Sequence, residues 1–240
     1  MDYNFLNKVV LVTGASAGIG EATAVLLAKY GARLALVGRN EKNLKEVTEK
    51  CTNIRGVYAL PIVADLSTDE GCEKTAKTVV EQFGRLDVLV NNAGLGGRDR
   101  IEQGDMELFD KLFKINVRGV YNLTRLLTPT IIESQGNIVN VSSIAATKVT
   151  VGAVSYGMTK AAIDHFTRLI ALELAPKGVR VNAVNPGLTI SNFHVRLFGL
   201  DNQQYDKFID GFKDKIPLRE VCTAEDIAKK IVHIASDHSR

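Results

Sequence analysis

Short runs of valine, isoleucine and leucine alternate along this chain with longer stretches whose apolar residues recur three and four apart. The runs occupy 8–13, 33–38, 57–63, 87–91, 137–142 and 179–184. Strands that are apolar on both faces and separated by helices form a parallel sheet covered on each side. The helical periods fall at 19–30, 41–51, 70–83, 105–127 and 155–175, with a further helix at about 223–235. Right-handed crossovers leave few topologies for this order, and the α/β doubly wound sheet with helices on both faces, the Rossmann fold, is the natural one.

The punctuation agrees. Gly31 stops the first helix, and Pro176 and Gly178 end the helix at 155–175 just before the next strand. No Pro-, Gly- or Ser-rich linker and no repeat interrupts the pattern, so residues 1–240 read as one domain. After Pro186 the rhythm breaks. Residues 188–218 carry Phe193, Phe198, Tyr205, Phe208 and Phe212 with several charges and no strand pattern. An insertion of this length predicts a lid or pocket wall around a substrate; a pair of amphipathic helices packed for stability alone is the alternative.

Charge and composition narrow the possible partners. Thirty basic residues against 27 acidic give +3 with no basic block, so no nucleic-acid footprint is expected. No apolar segment nears the roughly 20 residues of a membrane span, and the first five residues carry no leader pattern. Cys51, Cys72 and Cys222 stand far apart, which fits a reducing, cytoplasmic setting and no metal or redox motif. His165, His194, His233 and His238 also lack ligand spacing and read as structural or solvent-exposed.

The first strand runs directly into Thr13-Gly14-Ala15-Ser16-Ala17-Gly18-Ile19-Gly20 and then a helix. Glycines there let the backbone turn tightly and approach a pyrophosphate, and the helix start offers unpaired N–H groups. The end of the second strand reads Gly38-Arg39-Asn40. An acid at that point usually holds the ribose hydroxyls of NAD, whereas an arginine accommodates the 2′-phosphate of NADP. Arg39 therefore favours NADPH over NADH.

Tyr156 and Lys160 lie four apart in the helix at 155–175 and so share a face. Lowering a phenol from about pH 10 to about 7 takes roughly 4 kcal/mol. One cation at about 5 Å in an effective dielectric near 20 supplies roughly 3.3 kcal/mol, and an oxidised nicotinamide would add a second positive charge. The pair is thus able to give or take a proton at a carbonyl or alcohol oxygen. Taken alone, that spacing is more often the mark of two surface residues.

Taken together, these motifs resemble the short-chain dehydrogenase/reductase family over nearly the whole chain. The glycine turn from Thr13 to Gly20 matches the family's cofactor turn, and Asp65-Leu66 its adenine-contacting pair. Asn91-Asn92-Ala93-Gly94 matches the motif closing the fourth strand, and Pro186-Gly187 the turn into the nicotinamide-side loop. The resemblance implies a catalytic four of Asn116, Ser143, Tyr156 and Lys160. Tyr156 would be the acid/base, Lys160 its modulator and a ribose ligand, Ser143 the group orienting the substrate oxygen, and Asn116 the support of a relay water. Ser143 rather than Ser142 stands at the family's spacing from the tyrosine; Ser142 is then the structural partner. Gly14, Ser16, Gly18, Ile19, Gly20, Arg39, Asp65, Leu66, Asn92, Ala93, Gly94, Pro186, Gly187 and Ser191 would bind the cofactor, with Ser191 standing where the family usually has a threonine.

The implied activity is hydride transfer between NADP(H) and a ketone, aldehyde or secondary alcohol, the 3-oxoacyl type included. Arg118, Arg125 and Arg168 are candidates for meeting an acidic acyl carrier. One departure stands out: the chain stops at Arg240, where the family normally adds a further strand. A homodimer through the 105–127 and 155–175 helices is expected, a tetramer is left open, and a non-catalytic dinucleotide-binding protein is the alternative function.

Overall fold

The computed structural model describes residues 3–54 and 56–239, so the leader reading began on two residues outside this range. Its centre is β1 (Val9–Thr13), buried at every position. Successive side chains of a strand point to opposite faces, and β1 divides accordingly. Val10 and Val12 pack with Leu27 and Ala28 on one side, while Val9 and Leu11 pack with Val79, Leu123 and Leu127 on the other.

Parallel pairing extends β1 on both sides. Among the described residues the main sheet has six strands in the order β3-β2-β1-β4-β5-β6. The partners are β2 (Arg33–Gly38), β3 (Ala59–Val63), β4 (Val88–Asn91), β5 (Asn137–Val141) and β6 (Arg180–Val184). β3 begins two residues later than its apolar pattern suggested. It contains Pro61, which donates no ladder hydrogen bond and is tolerated because β3 is an edge strand.

One core holds α1 (Gly18–Lys29), α2 (Glu41–Thr52) and α9 (Ala224–Ala235). The other holds α3 (Asp69–Phe83), α5 (Val120–Glu133) and the C-terminal end of α6 (Val154–Leu174). The expected helix at 105–127 is longer and uneven. It comprises α4 (Met106–Phe113), a π-helical stretch at Lys114–Gly119, and α5, which continues past Pro129. The buried stripe of Leu123, Leu127 and Ile131 carries α5 through the proline, whose missing N–H alone would favour a break there.

Two further differences fall near the C-terminus. The segment expected to lack strands contains β7 (Thr189–Ile190), paired in parallel with β8 (Cys222–Thr223). Between them lie α7 (Asn192–Phe198) and α8 (Asn202–Lys213). After α9 no strand follows among the described residues, and β6 forms the edge of the sheet.

A buried polar chain ties the sheet to its helices. The Asn91 amide donates to Thr124 Oγ1 (3.0 Å) and Asn140 Oδ1 (2.9 Å), and Asn140 donates to Thr167 Oγ1 (2.9 Å). Each bond satisfies a group that would be costly to leave unpaired inside the protein. Asn91→Ala is expected to destabilise the fold by about 3 kcal/mol, since it strips partners from both Thr124 and Asn140. Urea unfolding measures this, and a loss under about 1 kcal/mol would show that the chain carries little of the stability.

Candidate active site

Chain order reverses between β1 and β4, which pair directly with Val10 opposite Val88. Ligands in open parallel sheets bind at the C-terminal strand ends at such a switch point. A cavity of about 1110 Å³ opens there.

Its floor is the glycine turn. Gly14 has φ +64°, and a Cβ on it would stand 2.9 Å from the Ala93 Cα; one on Gly20 would stand 2.3 Å from the Gly14 carbonyl oxygen. Neither position admits a side chain. The Thr13 hydroxyl accepts from the N–H groups of Asn92 and Ala93 (2.9 Å each) and donates to the Val90 carbonyl, while Asn92 Nδ2 donates to the Thr13 carbonyl (2.9 Å). Thr13 opens the glycine motif but was given no role of its own in the sequence; it latches the two strand ends together. Ser16, Gly18 and Ile19 line the cavity with Gly14, and Gly20 sits behind them. Ala17, at the start of α1, offers no side-chain cap. The helix therefore presents N–H groups toward the cavity.

The ends of β2 and β3 form the next wall. Arg39 is exposed on the lining, and its guanidinium lies 3.5 Å from the Asp65 carboxylate. Partial burial pushes the Asp65 carboxyl up, but the Ser67 N–H and hydroxyl, with Arg39, outweigh this and hold it below the usual carboxylate range. Leu66 lies beside it. Asn92, Ala93 and Gly94 continue the lining from the end of β4.

Tyr156 and Lys160 face the cavity from α6. Lys160 is 6% exposed, donates to the Val141 carbonyl at 3.0 Å, and holds its ammonium 5.8 Å from the centre of the Tyr156 ring. Burial draws Lys160 from its ordinary 10.5 down to about 8, against the pull of Asp164. Burial also raises the phenol, with the Ser143 hydroxyl pulling it the other way. This corrects the sequence arithmetic, which counted the attraction of the lysine and omitted the desolvation of both groups.

The two serines behave differently. Ser142 donates to the Lys160 carbonyl (3.1 Å), whereas Ser143 stands beside Tyr156. Asn116 does not line the cavity. Its amide donates to the Leu95 carbonyl (2.9 Å) and Thr159 Oγ1 (3.1 Å), and its oxygen accepts from the Leu95 N–H (2.8 Å). Both amide hydrogens are thereby engaged, within the π-helical stretch that interrupts α4 and α5.

Pro186, Gly187 and Ser191 lead from β6 into the far wall. Ser191 accepts from the Phe193 N–H, and its own backbone is held by the Tyr205 hydroxyl, which accepts from Ser191 N–H (3.0 Å) and donates to its carbonyl (3.1 Å). Beyond it, Phe193 lies 6.2 Å from Tyr156, and His194, Phe198, Phe208 and Phe212 follow in contact with one another. His194, expected to be structural or exposed, is half-buried on the lining; its Nδ1 is buried without a hydrogen-bond partner, and burial lowers its pKa. Its spacing to Phe198, one helical turn on, was the signal that it belongs to this aromatic face.

Arg98, Lys148 and Lys215 also line the cavity and belong to no motif. The arginines considered for an acidic carrier do not reach it: Arg118 pairs with Asp69 through both terminal nitrogens (2.5 and 2.7 Å), and Arg125 donates to Asn122.

Comparison with known proteins places this geometry. A family model described as short chain dehydrogenase matches residues 8–198. L-xylulose reductase of Caenorhabditis elegans is 34% identical over 240 residues, covering 99% of this chain and 92% of that protein. A 3-oxoacyl-[acyl-carrier-protein] reductase of Staphylococcus epidermidis is 33% identical over 236 residues, with 98% and 94% covered. L-sorbose reductase from Gluconobacter frateurii, solved with NADPH and L-sorbose, superposes with TM-score 0.94 at 30% identity, covering 100% of this chain and 93% of that one. A Brucella melitensis 3-ketoacyl-(acyl-carrier-protein) reductase, solved with NADH, gives 0.88 at 30% identity, with 98% and 93% covered. Among the described residues no helix is long and apolar enough to cross a membrane. A match of this extent, joined to a cavity suited to a dinucleotide, makes the chain a member of the short chain dehydrogenase family: an oxidoreductase of CH–OH and C=O groups that uses a nicotinamide dinucleotide.

Proposed function

We propose that this protein is an NADPH-dependent carbonyl reductase in which Tyr156 is the proton donor. The observation that carries the reading is the half-buried Tyr156 and the buried Lys160 together on one cavity wall, with Ser143 beside the phenol.

The residues present fit the dinucleotide. Two glycines whose side chains would collide with backbone leave a cradle for a pyrophosphate at an uncapped helix start. Gly14, Ser16, Gly18 and Ile19 would hold the phosphates, with Gly20 behind them; Asp65, Leu66, Asn92, Ala93 and Gly94 would hold the adenosine side, and Pro186, Gly187 and Ser191 the carboxamide end. When bound, the dinucleotide supplies or accepts the hydride.

The protein's own groups manage the proton. In reduction the Tyr156 phenol donates to the substrate oxygen; in oxidation the phenolate takes the alcohol proton. Ser143 donates a hydrogen bond that orients that oxygen. Lys160, charged below about pH 8, favours the phenolate and would hold the ribose. Asn116 acts through its π-helical backbone, because its amide hydrogens are already engaged with Leu95 and Thr159. Residues 188–218 form the substrate wall. The exposed Tyr121, Leu169 and Leu172 on α5 and α6 suit the homodimer contact. The paired Tyr156 and Lys160 stand against a non-catalytic reading.

Tyr156→Phe should lower kcat with NADPH and a ketone by about a hundredfold to ten-thousandfold while the affinity for NADPH changes little. Retention of more than a tenth of the activity would remove Tyr156 from the mechanism. Arg39→Gln should narrow the preference for NADPH over NADH in kcat/KM by about tenfold or more, through loss of a charge-assisted contact to the 2′-phosphate. If the unaltered protein uses NADH as well as NADPH, the assignment of Arg39 fails.

The Lys160 shift also sets a pH dependence of folding. The folded cofactor-free protein binds this proton less tightly than the unfolded chain does. Between about pH 8 and 10.5 the unfolded state therefore holds more protons, and the Lys160 contribution to stability rises with pH. Lys160→Met should stabilise the cofactor-free protein at pH 7 by about 3 kcal/mol at most and flatten that rise, while abolishing turnover. Unfolding midpoints at pH 7 and 10 with and without the substitution measure this, and a destabilised Lys160→Met protein at pH 7 would contradict it.

A further inference from the structure

The cavity is unevenly charged. Its described lining carries Arg39, Arg98, Lys111, Lys148, Lys160 and Lys215 against Asp65 and Glu220. Asp65 already faces Arg39 at the adenosine end. On the opposite side, past Tyr156, the aromatic wall ends in two cations: Arg98 lies over Phe198 at 5.2 Å and Lys215 over Phe212 at 4.9 Å.

Arg98 is built to receive an anion. Its guanidinium carbon sits over the Phe198 ring, a contact that uses none of its five N–H donors. Among the described residues it has no ion-pair partner. The adjacent acid does not neutralise it, because Asp99 is engaged elsewhere: its carboxylate accepts from the Ser155 N–H (3.1 Å) and hydroxyl. The Asp99 N–H in turn donates to the Gly152 carbonyl (3.3 Å). Ser155 immediately precedes Tyr156, so these bonds fix the backbone that carries Arg98 relative to the phenol. Between the two run Phe193, packed against Gly96 and 6.2 Å from Tyr156, and then His194 and Phe198.

We propose that the substrate is an anionic carbonyl compound, with its C=O at Tyr156, an apolar body along Phe193 and Phe198, and an oxyanion received by Arg98. The proposal rests on the reading of Tyr156 as proton donor. A planar carboxylate suits the guanidinium fork in a bidentate contact, and a phosphate ester presents the same oxygen pair. Lys148 and Lys215 add positive potential on the rim, opposed there by Glu220.

The test compares kcat/KM with NADPH for 4-acetylbenzoate, 4-acetylphenyl phosphate and the neutral 4-acetylbenzamide. At least one anion is expected to exceed the amide by about tenfold or more, the yield of one charge-assisted hydrogen bond, and the better anion identifies the oxyanion. Arg98→Gln should close most of that gap, chiefly through KM. Arg98→Lys should restore part of it, and Lys207→Gln, outside the cavity, should leave the ratio as it was. Equal or better use of the amide overturns the proposal, and so does an Arg98→Gln effect that is equal for charged and neutral substrates. A second arm titrates the non-reducible 4-ethylbenzoate and 4-ethylbenzamide against the cofactor-loaded protein by fluorescence. Arg98-dependent preference for the benzoate with no turnover of any ketone would sink the reductase assignment and leave the anion site standing. Absence of an Arg98-dependent preference for an anion in both arms sinks the anion site.

Discussion

Everything at the cavity depends on how closely two strand ends approach. The β1–α1 turn lies against the end of β4 with no room for a Cβ on Gly14, and α1 folds back over Gly14 with none on Gly20. That contact is held by a small set of groups: one threonine hydroxyl between two backbone N–H groups and a carbonyl, and one asparagine amide on the opposite strand. It sets the height of the α1 N–H groups above the sheet, and so the depth at which a phosphate could sit. A side chain at either glycine would push the helix start away from the space it serves.

The opposite wall is governed by desolvation. An ammonium buried at Lys160 is poorly compensated: one backbone carbonyl accepts from it, and the phenol ring lies beyond. In the protein alone this disfavours charge on both groups. A charge so weakly compensated is gained and lost readily, as the proposed proton transfer requires. The bonds around it are correspondingly firm. Thr159 donates to the Tyr156 carbonyl and accepts from Asn116, which grips Leu95 by both its donor and acceptor sides. The π-helical stretch that carries Asn116 is thus locked to the loop after β4.

The sheet was legible in the sequence because burial on both faces leaves unbroken apolar runs, as at 33–38 and 137–142. The glycine turn was legible because only glycine satisfies its contacts. What could not be read was set by three-dimensional neighbours. Pro61 is tolerated because of where β3 lies in the sheet, and α5 passes Pro129 because Leu127 and Ile131 are buried on either side of it. The direction of the Tyr156 shift depends on burial that spacing cannot report. Arg98 and His194 belong to no motif, and they become part of the cavity only when α7 packs over Gly96.

The two halves of the cavity are held by different means. The half bearing the glycine turn, Tyr156 and Lys160 grows from central strands and a helix packed into the main cores. The aromatic wall stands on two short helices, a two-residue strand pair and the Tyr205 hydroxyl that clasps Ser191. Few bonds are at stake there, and side chains on that wall can change without disturbing the strand ends beneath. His194 belongs to that wall, and one of its ring nitrogens, Nδ1, is buried there without a hydrogen-bond partner. A fold divided in this way can keep one proton-transfer machine and vary what is brought to it, which fits a family whose relatives here carry names as different as sugar and acyl-carrier reductases.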